Sequence, residues 1–128
     1  MATGRIDLGK RGEDIACRFL KERNHQILER NYRKGHLEID IITKDEKGIH
    51  FVEVKSMTGT TMEVTPQDKV DQLKQKRIAT VATRYLQTSK DIELSGNEEV
   101  SFDVIAIVFD GDKTNIEYFP QAFIPLYF

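Results

Sequence analysis

Apolar residues recur along the chain in two rhythms, and each change of rhythm marks a new element. From about Asp7 to Asn24, Leu8, Ile15, Ala16, Phe19 and Leu20 fall at the three- and four-residue steps of a helix. Cys17 adjoins that stripe as a small buried apolar residue, and Asp7 suits an N-cap. Gln26 to Arg33 reads as a first strand. His36-Leu37-Glu38-Ile39-Asp40-Ile41-Ile42 and Gly48-Ile49-His50-Phe51-Val52-Glu53-Val54-Lys55 alternate in twos, and Asp45-Glu46-Lys47-Gly48 between them suits a tight hairpin. Ser56 to Thr65, rich in Thr, Met and Gly, reads as a loop. Pro66, with Thr65 as N-cap, opens a second helix through about Gln87, its apolar positions being Val70, Leu73, Ile78, Val81, Ala82, Tyr85 and Leu86. Val100 to Phe109 is almost continuously apolar, as in a central strand covered on both faces. Asp110-Gly111-Asp112 turns it into a last strand, Asn115 to Phe119, and Phe123 to Phe128 forms an apolar tail. Helix, three strands, helix, two strands predicts an α/β layered domain, a mixed central sheet flanked by helices. With 128 residues and no repeat or linker, the expectation is a single domain over residues 1–128.

The hairpin carries charge where core strands carry none. If Glu46 and Lys47 form a two-residue loop, Asp45 pairs with Gly48, Asp40 lies opposite Glu53, and Glu38 lies opposite Lys55. Directly opposed side chains have Cβ atoms about 4.5–5.5 Å apart, where like charges repel. Two carboxylates among Ile, Val and Phe therefore call for a cation. No His or Cys cluster is apparent beside them, so a hard ion such as Mg²⁺ or Mn²⁺ fits Asp40 and Glu53 better than zinc. Lys55, on the same face as Glu53, could orient a water or neutralise charge on a phosphate. The plainer reading is a surface hairpin with a polar side; Ile42, Ile49 and Phe51 on the same face argue against it.

Net charge is −2, and its distribution says more than its sum. Residues 5–34 hold nine Lys/Arg against five Asp/Glu, residues 66–90 six against two, and residues 91–128 one against eight. One basic, phosphate-facing side would give this map, and so would solvated helix faces. Lys69, Lys74, Lys76 and Arg77 are candidate contacts to a nucleic-acid backbone or simply such a face. The longest unbroken apolar run, Val104 to Phe109, falls far below the roughly 20 residues that span a bilayer. The N-terminus lacks a signal-peptide core, and a lone cysteine excludes an internal disulfide framework, so no membrane association and a cytoplasmic location are expected. Asp103, charged within an apolar strand, requires a partner. Glu38 reads as a salt-bridge partner of Lys55 before it reads as a carboxylate near the metal, and His36 as an exposed strand-end residue. His25 and His50 have no partner evident from the sequence.

Asp40 followed by Glu53-Val54-Lys55 on the next strand resembles the signature of the PD-(D/E)XK, restriction-endonuclease-like superfamily. Gly12-Glu13-Asp14-Ile15-Ala16, Glu38-Ile39-Asp40, Phe51-Val52-Glu53-Val54-Lys55 and Phe102-Asp103-Val104-Ile105, in that order, resemble more closely the YraN family of small bacterial proteins, related to archaeal Holliday-junction resolvases. The likeness spans roughly residues 5–120. It implies metal-dependent hydrolysis of DNA, with branched or structured DNA as a natural substrate. Asp40, Glu53 and the Val54 carbonyl would be Mg²⁺ or Mn²⁺ ligands, Lys55 the water-orienting base or electrostatic group, and Glu13 a further carboxylate aimed at the site. Taken without the resemblance, Glu13 reads as a first-turn helix carboxylate. The chain departs from the family pattern at Leu37, where glycine is usual, and at Ser101, where arginine is usual; the second weakens expected phosphate contacts. Symmetric cutting of two strands would favour a homodimer, for which the apolar tail offers a surface. The alternative is a nucleic-acid-binding or protein-interaction module on the same scaffold, without turnover.

Overall fold

A computed structural model describes residues 5–59, 72–88 and 99–123. Among these residues seven elements follow in order: α1 (Arg5–Glu22), β1 (Gln26–Lys34), β2 (Leu37–Lys44), β3 (Gly48–Thr58), α2 (Gln72–Thr88), β4 (Glu99–Asp110) and β5 (Lys113–Phe119). The strands form one mixed sheet in the order β1-β2-β3-β4-β5. Only β3 and β4 run parallel; the other neighbours are antiparallel. Parallel neighbours need a long crossover, and α2 lies within it.

The sheet separates two apolar clusters. On one face Ile42, Ile49, Phe51, Phe102 and Val104 meet Ile78, Val81, Ala82 and Tyr85 of α2. On the other, Ile41, Val52, Ile105 and Ile107 meet Ala16, Cys17 and Leu20 of α1. Alternation along β3 and β4 sends successive side chains into opposite clusters, which explains why β4 is apolar almost throughout. Buried side chains of this size each contribute about 1.5–3 kcal/mol. This is the restriction-endonuclease-like layered fold, a mixed sheet between helices.

Several boundaries differ from the sequence reading. The helix already includes Arg5, so Asp7 lies in its first turn and is not the N-cap. Ser56 to Thr58, read as loop, continue β3, because β4 supplies parallel partners as far as Thr58↔Phe109. Leu73, assigned to the apolar stripe, is 58% exposed. The proposed Thr65 cap, Pro66, Lys69, Val70 and residues 124–128 lie outside the described residues.

α1 ends in a Schellman turn. Asn24 takes φ +68°, its N–H donates to the Lys21 carbonyl, and the His25 N–H donates to the Leu20 carbonyl. Gly48 marks a second close approach: a Cβ there would stand 2.0 Å from the Glu99 carbonyl oxygen. That contact, with Glu99 N–H donating to the Lys47 carbonyl at 3.1 Å, seats the hairpin turn on the start of β4.

Candidate functional site

The β2–β3 ladder holds the register expected from the sequence, Lys44↔Ile49 through Ile41↔Val52, with the Asp45 N–H donating to the Gly48 carbonyl at 3.0 Å. It then stops, one position short of Asp40. From there the Asp40 carboxylate replaces the backbone as partner, its Oδ2 accepting from the Val54 N–H at 2.8 Å. The expected pairs Asp40–Glu53 and Glu38–Lys55 are therefore not ladder pairs. Glu38 instead faces Arg33 across β1 at 3.4 Å.

β1 supplies the reason for the break. Arg30↔Ile41 and Tyr32↔Ile39 leave Asn31 opposite Asp40, and Asn31 takes φ +51°. Asparagine tolerates this left-handed conformation better than a branched or bulky residue does. Alternation along β2 breaks at the same point: Ile39 and Ile42 pack on the α2 side while Ile41 packs on the α1 side. Asp40 is left at the seam between two clefts.

The first cleft, about 400 Å³, lies toward α2 and is lined by His36, Glu38, Asp40, Glu53, Lys74 and Arg77 among others. Glu53 is 3% exposed. Burial, then the neighbouring Asp40 charge, push its carboxyl up from 4.5 to about 7. Asp40 is shifted upward too, by burial against the opposing Val54 hydrogen bond and Lys74 charge. What compensates Glu53 is Lys74, whose Nζ sits 2.6 Å from Oε2. Burial works against the Lys74 ammonium, but Glu53 outweighs it and its pKa is raised.

The second cleft, about 650 Å³, lies toward α1 and joins Asp40 to Glu13, Val54, Lys55 and Ser56. Glu13 is raised by burial and by Asp40, and a hydrogen bond with the Asn31 side chain partly offsets both. Arg30 approaches it at 3.9 Å while bonding Asp14 at 2.7 Å. α1 comes close enough to place Glu13 here because Gly12 has no side chain: a Cβ would lie 1.8 Å from Ser56 Oγ and 3.0 Å from its Cβ. Lys55 is shifted downward by burial, then by the Lys74 charge and a hydrogen bond with Lys74. An amine so placed releases its proton more readily than a solvated lysine, which is what a base requires.

Asp40, Glu53, Lys55 and Glu13 thus come together around one seam. Val54 belongs to it through its amide. Lys76 and Arg77 are exposed on α2, Arg77 reaching the first cleft. Lys74 faces inward onto Glu53 instead of lying on a solvated helix face. Asn31 was missed as a site residue, since an asparagine within a strand-like run gives no sign of a left-handed turn. His36, read as an exposed strand end, borders the first cleft.

Oxygen donors of this kind suit a hard divalent ion, and the ammonium on Glu53 shows that the spot demands positive charge. The residues fit Mg²⁺ or Mn²⁺ on that ground.

At the opposite end of β3, on the α1 face, Asp103 finds the partner it needed. His50 Nδ1 donates to Oδ2 at 2.7 Å, Tyr118 O–H donates to Oδ2 at 2.5 Å, Gln121 N–H donates to Oδ1 at 3.0 Å, and Ser101 O–H also donates to Oδ1. Burial alone would raise Asp103, yet the bonds from His50, Ser101 and Tyr118 outweigh it and its pKa falls below the usual value.

Among the described residues, no helix is long and apolar enough to cross a membrane. Residues 12–107, which include the described residues of both clefts from Gly12 onward, match the family described as "Uncharacterised protein family UPF0102". A UPF0102 protein of Geobacter metallireducens is 39% identical over 123 residues, 96% of this chain and 97% of that protein. Another, of Anaeromyxobacter dehalogenans, is 35% identical over 120 residues, 94% of this chain and 86% of its own length. A third, of Thermotoga petrophila, is 41% identical over 93 residues, 73% of this chain and 81% of its own. The chain belongs to the UPF0102, or YraN, family.

Proposed function

We propose that the protein is a metal-dependent endonuclease acting on DNA, with branched or structured DNA as its preferred form. The observation that carries this reading is Glu53: a carboxyl buried beside Asp40, lifted to about 7, in a cleft shared with a partly exposed lysine. A purely structural carboxylate would be expected to have fixed donors instead. Asp40, Glu53 and the Val54 carbonyl would hold Mg²⁺ or Mn²⁺, which supplies Lewis-acid stabilisation of a phosphoryl group. Lys55 takes the proton of the attacking water, its ammonium made more acidic than a solvated lysine by burial and by Lys74. Glu13, fixed by Asn31, faces the same seam as Asp40 and orients that water. His36, Lys74 and Arg77 border the first cleft and receive phosphate oxygens, with Lys76, and Lys69 beyond the described residues, extending the basic surface. A cation held by Glu53 would take the place of Lys74 there and free its ammonium for a phosphate oxygen.

The test is incubation of linear, nicked, flapped and four-way DNA, with RNA counterparts, in Mg²⁺ or Mn²⁺. Wild type is expected to cut, and Glu53→Ala and Lys55→Ala to lose about 100-fold or more of that rate. Cleavage persisting in both variants overturns the proposal. Binding of DNA without cleavage by wild type would establish the non-catalytic module instead.

A further inference from the structure

Nothing along the sequence pairs His25 or His50 with a partner, yet the fold brings both onto one carboxylate. His25 follows the α1 Schellman turn, His50 lies on β3, and Asp45 opens the hairpin between β2 and β3. One nitrogen or oxygen from each lies within 4.8 Å of the others. His50 Nε2 stands 3.0 Å from Asp45 Oδ1, and His25 Nε2 stands 3.6 Å from Asp45 Oδ2. The imidazole centroids are 4.6 Å apart.

We propose that His25, Asp45 and His50 form a transition-metal site of the zinc class, with three protein ligands and one position for solvent. Tetrahedral zinc with bonds of about 2.0–2.1 Å places its ligand atoms about 3.3 Å apart. Each imidazole stands near that distance from one oxygen of the carboxylate, His50 Nε2 at 3.0 Å from Oδ1 and His25 Nε2 at 3.6 Å from Oδ2, so a small rotation of Asp45 presents one oxygen to both. The 3.6 Å contact is too long for a good hydrogen bond but close to the spacing a shared ion imposes.

The outer nitrogens support the assignment. His25 Nδ1 meets Thr43 Oγ1 at 2.7 Å, and His50 Nδ1 meets Asp103 Oδ2 at 2.7 Å. Each ring is thereby held with Nε2 directed at the shared carboxylate, the arrangement in which an outer partner fixes tautomer and orientation for a metal-binding histidine. Asp45 is fixed as well, its Oδ1 accepting from the Lys47 and Gly48 N–H groups at 3.0 and 3.2 Å. Both histidines are 8% exposed, while the Asp45 side chain is 17% exposed and a cavity of about 120 Å³ borders His50, so an ion has a route in.

This site is separate from the carboxylate seam. His50 has the parity of Val52 and faces α1, whereas Glu53 has the parity of Phe51 and faces α2. Nitrogen donors select zinc, cobalt or nickel, whereas the all-oxygen seam selects magnesium. An ion bound here staples the end of α1 to the hairpin that carries Asp40 and Glu53.

The test is titration of the full chain with Zn²⁺ and Co²⁺, followed by calorimetry, Co²⁺ absorption and imidazole NMR resonances. One equivalent is expected to bind, to shift both Nε2 resonances, and to bind equally in Asp40→Asn. His25→Gln is expected to weaken binding about 100-fold or more, and Thr43→Val, which removes only an outer partner, about 10-fold. His50→Gln should match His25→Gln; if loss of the Asp103 bond unfolds it, His25→Gln and the wild-type resonances decide. Absence of stoichiometric binding, or binding indifferent to His25→Gln, or binding lost in Asp40→Asn, overturns the proposal.

Discussion

Glu53 and Asp103 are carboxylates buried in one sheet, 3% and 0% exposed, and their surroundings treat them oppositely. Asp103 accepts from His50, Tyr118, Ser101 and the Gln121 amide, and its pKa falls. Glu53 meets another carboxylate and the end of a partly exposed lysine, and its pKa rises to about 7. Burial alone would raise both; fixed donors decide the sign. A buried charge with its partners built in is part of the framework. One balanced chiefly by the end of a partly exposed lysine is not fixed in that way.

The largest expected effect falls on the framework side. Asp103→Ala leaves His50, Ser101 and Tyr118 without their acceptor, and urea unfolding is expected to register a loss of about 3–5 kcal/mol. A loss below about 1 kcal/mol would erase the contrast, since Asp103 would then be no better integrated than Glu53.

Glu53 is expected to behave in reverse. Its folded pKa of about 7 lies above the ordinary 4.5, so within that window the native state keeps a proton the unfolded state has released. Stability then falls as pH rises through the window, by on the order of 3 kcal/mol. Glu53→Gln should flatten this slope in thermal melts, and added Mg²⁺ should flatten it for wild type. Asp103, depressed, contributes stability above its unfolded value of 3.8 that is lost as pH falls through its folded value. Parallel slopes for wild type and Glu53→Gln would refute the assignment.

Gly12 ties the two regions to one helix, since α1 carries Glu13 to the seam and ends just before His25. Gly12→Ala must move Ser56 or tilt α1, with an expected cost of about 1–3 kcal/mol. The buried Ser56 hydroxyl finds no hydrogen-bond partner among the described residues, so Ser56→Ala in the same chain should recover part of that loss. No recovery would place the strain elsewhere.

The smallest effect is expected at Lys74. Its pair with Glu53 is 38% exposed on the lysine side, and Lys74→Gln should cost about 1 kcal/mol or less without metal. Mg²⁺ affinity should increase, because the competing ammonium is gone. A weaker affinity would make Lys74 a supporting residue for the ion instead of its substitute.

Much of this was legible in the sequence. The helical steps of Ile15, Ala16, Phe19 and Leu20, the unbroken apolar run of β4, and the Asp45–Gly48 turn fixed by local chemistry all predicted the layered sheet and the hairpin register. The proximity of Asp40 to Glu53 followed from that register, although its ladder ends at Ile41↔Val52. What escaped depends on contacts between distant segments. Ser56 to Thr58 resemble a loop until β4 pairs with them. Asn31 bends β1 through a backbone conformation that composition does not signal. Lys74 belongs to the seam only because α2 packs back across the sheet. His50 meets Asp103 from 53 positions away, so neither residue announces the other.

Calorimetric titration with Mg²⁺ at pH 7 tests the central claim most directly, since a hard ion avoids the histidine site. Wild type is expected to bind stoichiometrically with release of protons from Glu53, and Asp40→Asn to abolish both the binding and the release. Magnesium binding that persists unchanged in Asp40→Asn would contradict the account.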